Sequence, residues 1–179
     1  MGMKRNWRWA VWAVAVIVIV IACGLAFVYS GIYTVAATYP DWGPVTWLLR
    51  TTVDRSVQRH AAHIPVPRLD DPDLLRTGFQ HYREMCVECH GAPGVPIGDA
   101  GQGLNPRPPE LVKSAGDWAP KELFWITKYG VRMTGMPAWG VTHSDEKIWN
   151  IVAFLRRLPK LTAAEYRALD RQTPPLADD

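Results

Sequence analysis

The 179-residue chain has no charged side chain between Arg8 and Asp41, only three cysteines, no internal repeat and no segment that alternates like a strand. Each absence excludes something. Without strands there is no βαβ frame, the usual setting of a Cys-x-x-Cys dithiol redox centre. Structural zinc usually needs a second Cys or His pair, and the only cysteine besides Cys86 and Cys89 is Cys23, far upstream in an apolar run. The net charge of +3 is uneven. Residues 1–69 carry seven Lys/Arg against two Asp/Glu, and residues 70–179 carry thirteen against fifteen. The basic balance belongs to the N-terminal part and gives no support for nucleic-acid binding.

The uncharged stretch has its own meaning. Ala10–Phe27 is almost entirely Val, Ile, Ala, Leu and Trp, and apolar character persists to Ala37. About 20 such residues span a bilayer as a helix. Lys4, Arg5 and Arg8 precede it, which favours a cytoplasmic N-terminus and an exported C-terminal part. Trp7, Trp9 and Trp12 at one end, and Tyr29, Tyr33, Tyr39 and Trp42 at the other, suit the two interfaces. A cleaved signal peptide has a shorter apolar core and ends at small residues. Val20-Ile21-Ala22-Cys23 resembles a lipoprotein cleavage box. The run continues well past Cys23, which favours an uncleaved helix; either outcome anchors an exported domain.

Cys86-Val-Glu-Cys89-His90 is the most specific motif. Cys-x-x-Cys-His is the attachment site of a c-type haem. On one helical turn it offers two thiols for thioether bonds to a single porphyrin, and then an imidazole for the iron. A sixth ligand is expected from Met133 or Met136. Met136 lies between Gly135 and Pro137, a constrained loop able to hold a thioether rigidly, whereas Met133 suits packing in the pocket. His/Met ligation fills both axial positions, so the expected activity is outer-sphere electron transfer, with no catalytic residue and no small-molecule substrate. No distal histidine stands near Met136, which disfavours a gas sensor or peroxidase.

The remaining sequence divides as residues 1–39, a cytoplasmic stub and transmembrane anchor; 40–70, a connector; 71–160, an all-α haem domain; and 161–179, a short helix and flexible tail. In the connector, Val45, Leu49, Val53, Val57 and Ala61 recur every fourth residue among Arg50, Arg55 and Arg59. That pattern predicts an amphipathic helix lying on the membrane, against a partner, or on the haem domain. His60 and His63 have metal-pair spacing but read as solvated linker residues. Helices are predicted over 72–86 with Asp71 as N-cap, 120–129 before Gly130, 145–158 after Ser144, and after Thr162, where Thr162 and Glu165 form a capping box. Residues beyond Gln172 read as frayed. About 90 residues of short helices and Pro/Gly loops make a thin core, which a porphyrin would complete.

Three segments in this order resemble class I c-type cytochromes. Gly78 with Tyr82 leads into Cys86–His90 as in that family's N-terminal helix. Trp149–Arg156 is similar to its C-terminal helix, with Phe154 or Trp149 as the packing aromatic. Met136-Pro137 resembles the distal ligand. The resemblance spans about 70–160. It implies one covalent haem c, close crossing of two helices at Gly78, and a proline carbonyl of the 104–111 loop orienting His90, with Pro106, Pro108 and Pro109 all open. Arg107, Trp125 and Arg132 are candidate propionate partners, and His81 and His143 read as exposed. The implied function is a membrane-anchored monohaem carrier in the bacterial inner membrane. Its haem domain would lie in the periplasm and pass single electrons between redox partner proteins, as in a respiratory chain. The competing reading is the cytochrome subunit of a membrane dehydrogenase or terminal oxidase.

Overall fold

A computed structural model describes residues 2–176, with side chains for 7–176. The chain divides into two compact units, Met1–Tyr39 and Pro40–Asp179. The first is a single helix, α1, over Gly2–Ser30. It ends where Ser30 Oγ donates to the Phe27 carbonyl and Gly31 takes φ 66°. Trp7–Ser30 has mean hydropathy 3.0 and none of it is buried. At about 1.5 Å per residue it is long enough to cross a hydrocarbon core of about 30 Å. Cys23 lies inside this helix, exposed and well before its end.

The second unit is built from α2 (Gly43–Ala61), α3 (Pro72–Met85), α4 (Val87–His90), α5 (Asp99–Gln102), α6 (Leu111–Ser114), α7 (Pro120–Tyr129), α8 (Asp145–Arg157) and α9 (Ala163–Gln172). Short 3-10 turns cover Ala115–Asp117, Trp139–Val141 and Leu158–Lys160. The fold is all-α; the described residues contain no strand. Local chemistry explains most helix ends. Asp71 accepts from Asp73 N at 2.9 Å ahead of Pro72, and Ser144 Oγ accepts from Lys147 N. Glu122 accepts from Ala119 N at 2.7 Å. Thr162 and Glu165 form the reciprocal box. Each such cap contributes about 1 kcal/mol.

The core lies where α3 crosses α8. Phe79 meets Phe154 edge-on with centroids 5.4 Å apart, Tyr82 meets Phe154 at 5.2 Å, and Tyr166 of α9 closes the cluster on Phe79 at 5.4 Å. Phe154 is thus the packing aromatic of the crossing, and Trp149 instead stacks flat on Phe124 of α7 at 4.2 Å. The crossing is close because Gly78 has no side chain. A Cβ there would overlap the Asn150 carbonyl group and come 3.0 Å from Phe154 Cβ.

Two expectations change here. His81 is not exposed: it is 4% accessible, and its ring lies edge-on to His143 at 5.5 Å. Five consecutive residues of α3, Gly78–Tyr82, are buried because that helix is covered on more than one side. Residues 173–176, expected to fray, are also held in place. Thr173 is buried, Pro174 O accepts from Gln80 Nε2 at 3.0 Å and Arg83 Nη2 at 2.9 Å, and Leu176 N donates to Glu84 at 2.7 Å. Residues 177–179, the end of the expected tail, lie outside the described residues.

The connector helix α2 has two halves. Val57 and Ala61 are buried against α7, Lys121 Nζ donates to Ala62 O at 3.0 Å, and His60 packs on Trp125. Val45 and Leu49 of the same four-residue series are exposed. Steps of four residues turn about 400°, so the series drifts about 40° per step and about 160° from Val45 to Ala61. One neighbour cannot cover it.

Candidate haem-binding site

The motif turn follows directly from α3. His90 N and Cys89 N both donate to the Cys86 carbonyl, at 2.9 and 3.1 Å, so Cys86, Cys89 and His90 share one tight helical turn. Three groups hold that turn in place. Tyr82, fully buried, donates from Oη to the Gly91 carbonyl at 2.6 Å just past His90. Gly98 N donates to Glu88 O at 2.9 Å, and Ala100 N to the Glu88 carboxylate at 3.2 Å. Glu88, inside the motif, therefore pins the 98–100 segment against it. Burial raises the Tyr82 pKa further, so its hydroxyl stays a donor at all ordinary pH.

His90 Nδ1 lies 2.8 Å from the Pro109 carbonyl. A carbonyl oxygen only accepts, so the proton sits on Nδ1 and the Nε2 lone pair is left for another partner. Burial lowers the His90 pKa below the usual imidazole range, against a smaller upward pull from the Pro109 bond, so the neutral ring prevails at pH 7. Of the three prolines left open by the sequence, Pro109 is the one that orients the ring. Beside His90 a cleft is lined by Ala92, Val95, Pro96, Ile97, Arg107 and Val112.

The surroundings of Cys86 disfavour a thiolate. A reactive Cys-x-x-Cys depends on a stabilised thiolate. Here burial first, and Cys89 second, push the Cys86 thiol up to about 12. Among the described residues no group of three or more His, Cys, Asp or Glu side chains is placed to hold a metal ion. His60 Nδ1 instead donates to Ser56 O at 2.7 Å.

Met136 sits on a loop closed at both ends. Val131 N donates to Met136 O at 3.2 Å, Thr134 Oγ1 donates to Val131 O at 2.7 Å, and Met136 N donates to Thr134 Oγ1 at 3.1 Å. Gly130 enters the loop at φ 65°, and a Cβ there would stand 2.7 Å from the Met136 carbonyl oxygen. The loop requires both the left-handed backbone and the missing side chain. Met133 does not pack as expected: it occupies φ 59° and is 86% exposed at the outer corner of the loop. Thr134, which the sequence reading passed over, accepts from Met136 N and donates to Val131 O, whose residue in turn holds the Met136 carbonyl.

The two loops touch. The Leu104 side chain lies over Gly135, with Cδ1 2.5 Å from where a Cβ would stand. The strand of chain that delivers Pro109 to His90 thus braces the residue before Met136. The other candidates separate. Arg107 lines the cleft beside His90, Arg132 is exposed, and Trp125 packs at a tilt against both His60 and Tyr129. His143 packs edge-on against Trp139, three residues beyond Met136, and bonds Thr142 Oγ1 at 2.8 Å.

The donor set fits a haem: two thiols on one turn, a neutral imidazole with one nitrogen uncommitted, and a thioether on a loop fixed at its backbone. Residues 73–155 match the family described as cytochrome c oxidase, cbb3-type, subunit III. No curated protein and no solved structure matches the chain. The matched segment contains the motif turn, the Met136 loop and the α3–α8 crossing, and so this chain carries a c-type cytochrome domain of the class I kind, a haem-based electron-transfer module.

Proposed function

We propose that this chain is a membrane-anchored monohaem c-type cytochrome that passes single electrons between periplasmic or membrane redox partners. Cys86 and Cys89 would hold the porphyrin by thioether bonds, and His90 Nε2 and the Met136 thioether would hold the iron. Bound there, haem supplies one-electron redox chemistry. The protein's part is positional. Pro109 fixes the ring and tautomer of His90, Tyr82 and Glu88 fix the turn that carries it, and Thr134 and Gly130 fix the backbone of Met136. With His90 and Met136 both serving as ligands, the chain would leave no ligand position to a substrate. α1 supplies the anchor, and Lys4, Arg5 and Arg8 keep its start on the cytoplasmic side.

The observation that carries this reading is the His90–Pro109 bond, because it leaves a single ring nitrogen for a metal. Met136→Ala tests the ligand set. The reduced variant should bind carbon monoxide and lose the Met-to-iron charge-transfer band, while Met133→Ala should keep the parent spectrum. A Met136→Ala spectrum identical to the parent's would remove Met136 from the assignment.

The description of the matched family favours a second reading, in which the domain is the cytochrome subunit of a membrane oxidase or dehydrogenase. Mild detergent extraction decides between the two. A carrier is recovered alone, and a subunit brings a stoichiometric oxidoreductase with it.

A further inference from the structure

Between Arg8 and Arg50 the chain holds one charge, Asp41. Most of that stretch is α1, but the rest is not. After Ser30 come Ile32, Tyr33, Val35 and Tyr39, all exposed, and then the first turns of α2. There Trp42 is 79% exposed, Trp47 67%, Leu48 56%, Leu49 50% and Val45 40%. These side chains do not form one stripe. Taking about 100° per residue, Leu48, Val45 and Leu49 spread over one side, while Trp47 stands about 160° from Leu49 on the other. The helix end is apolar nearly all round. A groove on a partner protein covers one side of a helix; a lipid interface surrounds its end.

We infer that residues 42–49 dip into the headgroup region of the bilayer, making α2 a strut between the membrane surface and the haem domain. The proposal rests on the anchoring reading above, since α1 is what brings this segment to a membrane. The twelve residues 31–42 reach at most about 43 Å when extended, so the chain can carry the start of α2 no farther than that from the end of α1. Tryptophan favours the interface, with an apolar ring body and an N–H that stays wet. Arg50 marks the end of the apolar tip, and Arg55 and Arg59 follow against the single acid Asp54, a balance that suits an anionic leaflet. At its other end α2 is seated on α7 through Val57 and Ala61. The haem domain would therefore be held at a fixed side to the membrane instead of swinging on a loose tether, which limits the partners its haem can face.

Single-cysteine variants of the full chain test this, in a Cys23→Ser background with haem attached. Each is reconstituted in vesicles of three parts phosphatidylethanolamine to one part phosphatidylglycerol. The readout is the rate of labelling by a charged, membrane-impermeant maleimide. Lys113→Cys, at a well-exposed position of the haem domain, sets the rate for a thiol in water. Leu48→Cys and Val45→Cys should label roughly tenfold more slowly than that reference, as for side chains sunk below the headgroups. Ile17→Cys, in the middle of α1, should not label. Leu48→Cys and Val45→Cys labelling as fast as Lys113→Cys, with Ile17→Cys still silent, overturns the strut and leaves the anchor intact. Labelling of Ile17→Cys overturns the anchor itself. Protection of Leu48→Cys that disappears when the protein is diluted in lipid assigns the cover to a second copy and also overturns the proposal.

Discussion

Gly78→Ala adds one methyl group at the tightest point of the fold. The new Cβ would overlap the Asn150 carbonyl group of α8 and stand 3.0 Å from Phe154 Cβ. Its neighbour is helix backbone, which cannot swing aside as a side chain can, so the two helices must separate. Overpacking of this kind costs about 3 kcal/mol at the upper end of its range. Alanine gains back about 1 kcal/mol in helix propensity over glycine. The net loss is about 2 kcal/mol. With a guanidinium slope of about 4 kcal/mol per molar for a unit of this size, the midpoint should fall by about 0.5 M. The assay is guanidinium unfolding of the haem-loaded protein in mild detergent, followed by the haem band and far-ultraviolet circular dichroism together. Gly116→Ala is the control: nothing lies within 4 Å of its Cβ, and its stability should stay within about 0.5 kcal/mol of the parent, a midpoint shift of about 0.1 M at most. An unchanged or raised midpoint for Gly78→Ala would show that α3 and α8 do not cross as described.

Tyr82→Phe leaves the Gly91 carbonyl without its buried donor and should cost about 1–2 kcal/mol in the same titration; a neutral result removes the hydroxyl from the support of the motif turn. Thr134→Val removes the bond from Met136 N and the bond to Val131 O, worth together about 1.4 kcal/mol, so the reduced protein should bind carbon monoxide about tenfold more tightly. Unchanged affinity would mean that the loop stays closed without Thr134. Glu165 has its pKa lowered below 4.5, first by the Thr162 backbone N–H and then by the Thr162 hydroxyl. A lowered carboxyl pKa stabilises the fold above the unfolded value, and that contribution is lost as pH falls through the folded value. Glu165→Gln should therefore narrow the gap between unfolding midpoints at pH 7 and in acid below pH 4.5; an equal gap in both proteins counts against the capping role.

Helices α3, α7, α8 and α9 were legible because their signals are local. Asp71-Pro72, the Pro120–Gly130 span, Ser144, and Thr162 with Glu165 each act within one turn of the residue they cap. The motif turn was legible for the same reason, since Cys86, Cys89 and His90 lie within five residues. What escaped depends on distant segments. Pro109 is nineteen residues from His90, and nothing in the spacing distinguishes it from Pro106 or Pro108. His81 looked solvated because the ring it packs against, His143, lies more than sixty residues on. The series from Val45 to Ala61 looked like one face because a four-residue repeat hides its drift around the helix. Thr134 had a readable signal, a threonine two residues before the candidate ligand in a glycine-rich turn, where a hydroxyl commonly bonds nearby backbone. The four-residue helices α5 and α6 carry too little pattern to be read.

The most direct measurement is the intact mass of the chain made in cells with cytochrome maturation and then fully denatured. A mass equal to the polypeptide plus one haem, reduced to the bare polypeptide when Cys86 and Cys89 are both replaced by alanine, is the expected result. The bare polypeptide mass from the unaltered chain, under conditions that load a control cytochrome, would contradict the assignment of the site.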